Sequence, residues 1–253
     1  MSFSSEFQCF LSRNGISFGQ PSADVFSFDG FHLRIVLVSL SSGDALTVTK
    51  SLDNEPDTIY LYEDMWMRRR DFAEKRILAH LGKFRNVFAR KCFVKRIDSD
   101  TAAAFLNRNH AYGNAASRYK YGMYLGEELV AVSCFSSPRR MPRIICGQEK
   151  LLRSYEWVRY ASLPDCRISG GMGKMLKAFI EDVHPEEIMS YADLEWSRGE
   201  TYRKLGFKEA GSRPPVTFYL NRETWKRLRK PAPETIEFVN LGSRKYLLNN
   251  LEN

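Results

Sequence analysis

The 253-residue chain predicts an α+β protein, with a mixed, mostly antiparallel central sheet flanked by helices and preceded by an N-terminal α/β extension. Three observations support this class. From Lys91 onward, segments of period 2 and period 3.6 follow one another as strand, helix, hairpin, strand, helix, strand, helix and strand pair. A glycine-rich turn, Arg167-Ile-Ser-Gly-Gly-Met-Gly173, joins a strand to an amphipathic helix. Residues 1–57 differ from the rest, being rich in Ser, Gly and Asp around a single strong strand pattern.

Taken in order, Leu33–Leu40 and Ala45–Thr49 read as strands, Asn54-Glu-Pro-Asp57 as a turn and Thr58–Tyr62 as a third strand. Glu63–Leu81 carries helical spacing, with Trp66, Phe72, Ile77, Leu78 and Leu81 apolar among charges and Gly82 placed to end it. Lys91–Ile97 alternates as a strand, and Ser99 is placed to cap a helix over Thr101–Asn109. Tyr119–Leu125 and Leu129–Phe135 form a hairpin across Gly126-Glu-Glu128. Ser154–Ser162 is the next strand, stopped by Pro164. The helix Lys174–Val183 then presents Met175, Leu176, Phe179 and Ile180 on one face. Ile188–Leu194 (strand), Gly199–Leu205 (helix) and Phe207–Leu220 (a strand pair broken at Pro214-Pro215) complete the run, and Thr235–Val239 offers one more strand. The expected division is 1–88 as the extension, 89–222 as the main domain and 223–253 as a basic tail packing on or extending it.

Composition narrows the function classes. No apolar run approaches the roughly 20 residues that span a bilayer, and the start of the chain lacks a basic head and apolar stretch. The expectation is a cytoplasmic protein with no membrane partner. Five cysteines form no CxxC pair and are odd in number, so neither a disulfide framework nor a metal site is expected. Net charge is +8, but residues 1–60 hold three basic against seven acidic residues, which leaves the remainder at +12. Such a basic body suits a polyanion, whether nucleic acid or the phosphates of a nucleotide; it is equally compatible with a solvated basic surface.

The segment Arg167, Ile168, Ser169, Gly170, Gly171, Met172, Gly173 and Lys174 is the candidate binding loop. Backbone N–H groups at the positive end of a helix suit phosphate, and glycines let the backbone come close. A Walker A loop is excluded, because its first glycine and its Ser/Thr positions hold Ile168 and Met175. A dinucleotide fingerprint would need a different βαβ setting. Taken alone, a Gly-rich strand-to-helix junction is also simply a turn.

The element order, with such a loop after the fourth strand, resembles the GNAT acetyltransferase superfamily, whose loop reads Gln/Arg-x-x-Gly-x-Gly/Ala. Arg167 and Gly170 fit, while the second glycine falls one residue late, at Gly173. A second mark, Tyr202-Arg-Lys-Leu-Gly-Phe207, resembles the family's Tyr-x-x-x-Gly-Phe at the end of the fourth helix. The resemblance covers about half the chain. It implies acetyl-CoA or another acyl-CoA as cofactor, transfer of the acyl group to an amine, and Tyr202 as general acid toward the departing sulfur. It also implies Glu156, on the strand entering the loop, as general base, and an acceptor site around His110. Asp193, at the end of the next strand, joins this set as a carboxylate to orient a substrate amine or to pair with Arg159. The plainer readings are an exposed strand glutamate, a capping aspartate, a structural histidine and a core tyrosine.

A narrower resemblance rests on Asn109-His110, Glu156-x-x-Arg159, Ser190-Tyr-Ala-Asp193 and Gly199-x-x-Tyr202. That set is similar to phage and mobile-element GNAT-like proteins near the Mom-type enzymes, which modify adenine in DNA. It implies roles for Asp193, Tyr202 and Arg159, and DNA as a partner of the basic surface, including Trp66-Met-Arg-Arg-Arg70. Residues 1–88 show no nuclease carboxylate–lysine set. Two function classes follow: an acyl-CoA-dependent N-acyltransferase, whose acceptor is a small molecule, a protein or a nucleobase, and a non-catalytic DNA-binding protein that retains the fold.

Overall fold

The polar-looking N-terminus forms a helix. In the computed structural model, which describes residues 2–41, 44–53 and 55–250, Ser2 caps α1 (Phe3–Arg13) by accepting the Ser5 N–H. Phe3, Phe7, Phe10 and Leu11 recur at helical spacing, and the last three are buried. Next come β1 (Gly19–Ser22), β2 (Val25–Ser27) and β3 (Arg34–Val38), followed by a second departure from expectation. Ala45–Thr49 lies within a helix, α2 (Ala45–Lys50), rather than in a strand. Asp44 accepts the Leu46 and Thr47 N–H groups at 3.1 and 3.2 Å. The topology gives the deeper reason: β3 pairs in parallel with β4 (Thr58–Tyr62), and parallel neighbours need a crossover segment.

The helical stretch after β4 is two helices, α3 (Glu63–Arg68) and α4 (Arg70–His80), broken at Arg69 with φ −132° and ψ 38°. Gly82 follows with φ +80°, the left-handed conformation that ends a helix at low cost for glycine. The chain continues through β5 (Arg85–Phe88), a 3-10 turn (Ala89–Lys91), β6 (Phe93–Arg96) and α5 (Ser99–Asn109). Asp98, not Ser99, caps α5, accepting the Thr101 N–H at 2.7 Å. Then come β7 (Tyr119–Leu125), β8 (Glu128–Phe135), β9 (Arg139–Ile145), β10 (Gln148–Ser162), β11 (Cys166–Ser169), α6 (Gly171–Val183) and β12 (Glu187–Asp193). The remainder is α7 (Glu200–Lys204), β13 (Lys208–Arg213), β14 (Thr217–Asn221), β15 (Arg227–Leu228), β16 (Thr235–Val239) and β17 (Ser243–Asn249).

Two compact units emerge, each discontinuous in sequence, whereas the residue pattern suggested consecutive segments. The first comprises Met1–Leu81, Ala192–Glu200 and Ser212–Arg244; the second comprises Gly82–Tyr191, Thr201–Gly211 and Lys245–Asn253.

In the first unit, β1-β2-β3-β4 form one sheet and β15-β14-β16 another. β13 and β14, expected as a pair, belong to different sheets. A core of Val38, Leu40, Tyr60, Tyr62, Leu194, Leu220, Phe238 and Leu241 joins segments far apart in sequence. At its margin lies a buried ionic knot. The Arg227 guanidinium donates to Asp64 at 2.6 and 3.0 Å and to Glu195 at 2.9 and 3.3 Å. Its flat face lies 5.1–5.5 Å from the Tyr62, Phe218 and Phe238 ring centroids.

In the second unit the sheet order is β13-β17-β12-β10-β8-β7-β6, with β9 pairing on β10. Here β17 places the C-terminal segment inside the sheet, between β12 and β13. β6, β7, β8 and β10 are antiparallel neighbours, and β12 runs parallel to β10. This is the mixed, mostly antiparallel α+β sheet expected from the residue pattern. Phe179 of α6 stacks on Phe135 with centroids 3.8 Å apart, ringed edge-on by Tyr119, Tyr121 and Tyr155. α5 covers the other face, burying Ala102, Phe105 and Leu106 against Val132, Cys134 and Ala161.

One cation shared by two buried acidic side chains has consequences for stability. Arg227→Ala removes the donor that both depend on, leaving the Asp64 carboxylate without its cation, and is expected to cost about 3–5 kcal/mol, measurable by urea unfolding. Burial pushes the Glu195 carboxyl up to about 8, against the pull of Arg227 and with Asp193 and Asp64 adding to the rise. A raised carboxyl favours the fold while protonated. Stability of this unit is therefore expected to fall as pH rises from about 4.5 through 8, and Glu195→Gln should flatten that slope.

Candidate active site

The parallel ladder between β10 and β12 contains three residue pairs, Ser154↔Glu187, Tyr155↔Ile188 and Glu156↔Met189. Beyond Glu156 and Met189 the two strands no longer pair. β10 continues along β8 to Ser162, while β12 continues to Asp193. The cause is local. Trp157 faces Phe135 and Arg159 faces Cys134, so Val158 is an extra residue on β10 at the point of parting. A bulge of this kind bends its strand and sharpens its twist, pulling it away from a neighbour on the other side.

Past the last ladder pair, a side chain bridges the gap. The Ser190 Oγ lies 3.0 Å from the Trp157 carbonyl oxygen and 2.8 Å from the Tyr202 hydroxyl. Tyr202 is packed among rings: stacked on Tyr246 at 5.4 Å, and edge-on to Trp157 at 6.0 Å and to Phe207 at 5.5 Å. Burial holds the Tyr202 phenol above its ordinary value, so it stays protonated at neutral pH.

The binding loop is shorter than expected, because α6 already begins at Gly171. β11 pairs in parallel with β5 from Cys166↔Arg85 to Ser169↔Phe88, and Gly170 turns the chain into the helix at φ +77°. The first ladder bond of α6 runs from the Lys174 N–H to the Gly170 carbonyl, at 3.0 Å. The amides of Gly171, Met172 and Gly173 therefore have no helical carbonyl to reach, the usual state of a helix start. Gly171 is glycine for a packing reason. A Cβ there would lie 2.9 Å from the Ile168 Cβ and 3.0 Å from the Tyr160 hydroxyl. That contact also sets the start of α6 against β10 just after its bulge. The Lys174 ammonium donates to the Ala89 carbonyl at 3.0 Å and to the Cys92 carbonyl, so it is tied to the 3-10 turn and does not extend the cradle as a free charge. Arg167 is exposed, its guanidinium over the Phe84 ring. Ser169 donates to Asn86 Oδ1 at 3.3 Å.

The remaining candidates separate. Strict alternation along β10 would put Glu156 and Arg159 on opposite faces, but the bulge breaks it, and the Arg159 guanidinium lies in the field of the Glu156 carboxylate. Arg159 is half-buried, and desolvation lowers its pKa. It donates to the Gly113 and Val158 carbonyls at 3.1 and 2.8 Å. His110 closes α5 and accepts the Tyr112 N–H through Nδ1 at 3.1 Å. Arg159 thus reaches the loop that His110 begins. Asp193 belongs to the first unit, where its Oδ1 accepts the Glu195 N–H at 3.0 Å. The residue pattern gave Ser190 no role of its own, although a small polar side chain in the largely apolar run Ile188-Met-Ser-Tyr-Ala was its signal. Among the described residues, no group of His, Cys, Asp and Glu could hold a metal ion, and no helix is long and apolar enough to cross a membrane.

No protein-family model matches the chain, and no curated protein matches it. Solved structures do. A GNAT family acetyltransferase from Elizabethkingia anophelis, with acetyl-CoA bound, superposes with a TM-score of 0.40 at 10% identity, covering 63% of this chain and 98% of its own. The ribosomal-protein-S18-alanine N-acetyltransferase from Escherichia coli gives 0.40 at 14% identity, over 64% and 96%. A polyamine N-acetyltransferase from Drosophila melanogaster gives 0.38 at 8% identity, over 62% and 99%.

The packing at Gly171 is directly testable. Gly171→Ala is expected to destabilise the protein by about 1–3 kcal/mol in thermal or urea unfolding, because Ile168 has to move. Met172→Ala, one residue on, should leave stability close to wild type.

Proposed function

We propose that this chain is an acyl-CoA-dependent N-acyltransferase of the GNAT type, transferring an acyl group to an amine. The observation that supports this reading is the parting of β10 from β12 beside the start of α6. Two features of an acyl-CoA fit that arrangement. Its pyrophosphate suits the Gly171–Gly173 amides, where orphan donors and the helix dipole act on one anion, with Arg167 exposed nearby in sequence. Its long amide-bearing arm suits the edges of strands whose main-chain groups have left their ladder. When bound, the acyl-CoA supplies an activated thioester carbonyl.

The residues of the chain divide the remaining work. Tyr202 holds a proton, kept on its oxygen by burial, at the side chain that bridges the parted strands. Glu156, half-buried, sits at the last ladder pair, placed to take a proton from the acceptor ammonium so that the free amine attacks. Arg159 spans from the bulge to the His110–Gly113 loop and keeps the acceptor side fixed. Positioning two reactants in this way removes much of the entropic cost of meeting.

Isothermal titration with acetyl-CoA tests the reading, and an absence of binding at millimolar ligand would overturn it. Met172→Glu should raise Kd by about tenfold or more by setting a carboxylate where the phosphates belong. A glutamate in the first turn suits the helix dipole, so the melting temperature should hold or rise. Release of CoA thiol, followed across a panel of primary amines, tests the chemistry. Tyr202→Phe is expected to lower kcat about 10–1,000-fold with acetyl-CoA Kd nearly unchanged, because little contact area is lost.

A further inference from the structure

Ser190 has one hydroxyl proton and two oxygens within reach of it. The Trp157 carbonyl, at 3.0 Å, can only accept; the Tyr202 hydroxyl, at 2.8 Å, can do either. While Ser190 donates to the carbonyl, the shorter contact requires Tyr202 to donate to Ser190. Were Tyr202 to lose its proton, the same serine could turn its O–H to the phenolate at the cost of one torsion. Ser190 is buried and sits one residue past the last β10–β12 pair, so no other arrangement of that proton keeps both contacts.

Building on the acyltransferase reading above, we infer that Ser190 is a positioning residue that swings its proton from the Trp157 carbonyl to the Tyr202 oxygen as the tyrosine gives up its own. The atoms balance. The acceptor nitrogen's lone pair forms the C–N bond, the C–S bond breaks with its electron pair on sulfur, the Tyr202 O–H bond breaks and an S–H bond forms. The negative charge then resides on the Tyr202 oxygen, where Ser190 donates to it. The proton shed by the acceptor nitrogen restores the phenol.

The other groups around the ring do not duplicate this part. Trp157 and Phe207 offer ring faces and edges. Tyr246 stacks on Tyr202 and accepts from Arg203 through its own hydroxyl at 3.1 Å. Tyr246, as a second phenol, raises the Tyr202 pKa, whereas the Ser190 contact lowers it.

The test uses the full chain with tyrosine labelled at 13Cζ, whose resonance moves on ionisation. Tyr202 is identified as the signal missing from Tyr202→Phe. In Ser190→Ala the Tyr202 signal should start toward the phenolate position about one pH unit or more above wild type, because a donor to the anion has gone. Ser190→Thr should restore the wild-type onset. Ser190→Cys, similar in size with a weaker donor, should fall between and serves if the threonine variant does not fold. Coincident titrations in wild type and Ser190→Ala would overturn the inference, as would ionisation of Tyr202 only on unfolding in every form. In turnover, Ser190→Ala should lower kcat and move the alkaline limb of the pH profile while leaving KM for acetyl-CoA unchanged. Failure to bind acetyl-CoA would remove the enzyme reading, yet the resonance titration would still decide the proton switch.

Discussion

The second unit depends on one extra residue in one strand. Val158 has no counterpart on β8, and that mismatch ends the β10–β12 ladder after three pairs. Without the bulge, two parallel strands would continue together, and their amides would be spent on each other. With it, the edges of both strands become available, Arg159 turns toward the loop after α5, and Tyr160 meets the start of α6. Ser190 and Tyr202 then close the apex of the gap with side-chain hydrogen bonds where main-chain bonds have stopped. A buried carbonyl left alone would cost about 1–3 kcal/mol, so a hydroxyl at position 190 matters for the fold as well as for the chemistry proposed for it.

Much of this was legible in the residues, and the gaps have physical reasons. The strands Thr58–Tyr62 and Thr235–Val239 were readable to the residue, since β-branched and aromatic residues alternate cleanly between turn signals. The amphipathic helix after the glycine-rich turn was readable in place and type, although it starts three residues early. Ala45–Thr49 misled because Thr and Val favour strands locally; a parallel sheet overrode that preference by requiring a crossover. β9 and the first half of β10 went unseen, because their exposed residues carry no apolar alternation against a core. The bulge left no mark in the pattern either. It is a property of the pairing between two strands, and nothing in Ser154–Ser162 alone marks Val158 as the extra residue. In the proposed site, Tyr202 and the loop stood out by their motifs, while Ser190 looked like one more small residue in a buried strand.

The first unit shows a different economy. Some of its charges are deeply placed: Arg227 serves two carboxylates and lies against three aromatic rings, and Glu63 accepts the Leu40 and Ser41 N–H groups at 2.7 and 2.8 Å. Arg227 ties β4 and the helix after it to a segment more than a hundred residues away, and Glu63 ties that helix to the end of β3. Such contacts set which strands meet more than they add net stability, since a well-packed apolar substitute often does as well energetically.

That arrangement bears on how the chain comes into being. A ribosome releases residues in order, yet Tyr62 waits for Phe238 to cover it and Asp64 waits for Arg227. Through most of translation the aromatic side of β4 stays bare and sticky, so this half cannot mature as a finished piece while the rest is being made. Its assembly is a late event, and the nascent chain is a natural client for chaperones that shield exposed apolar strands.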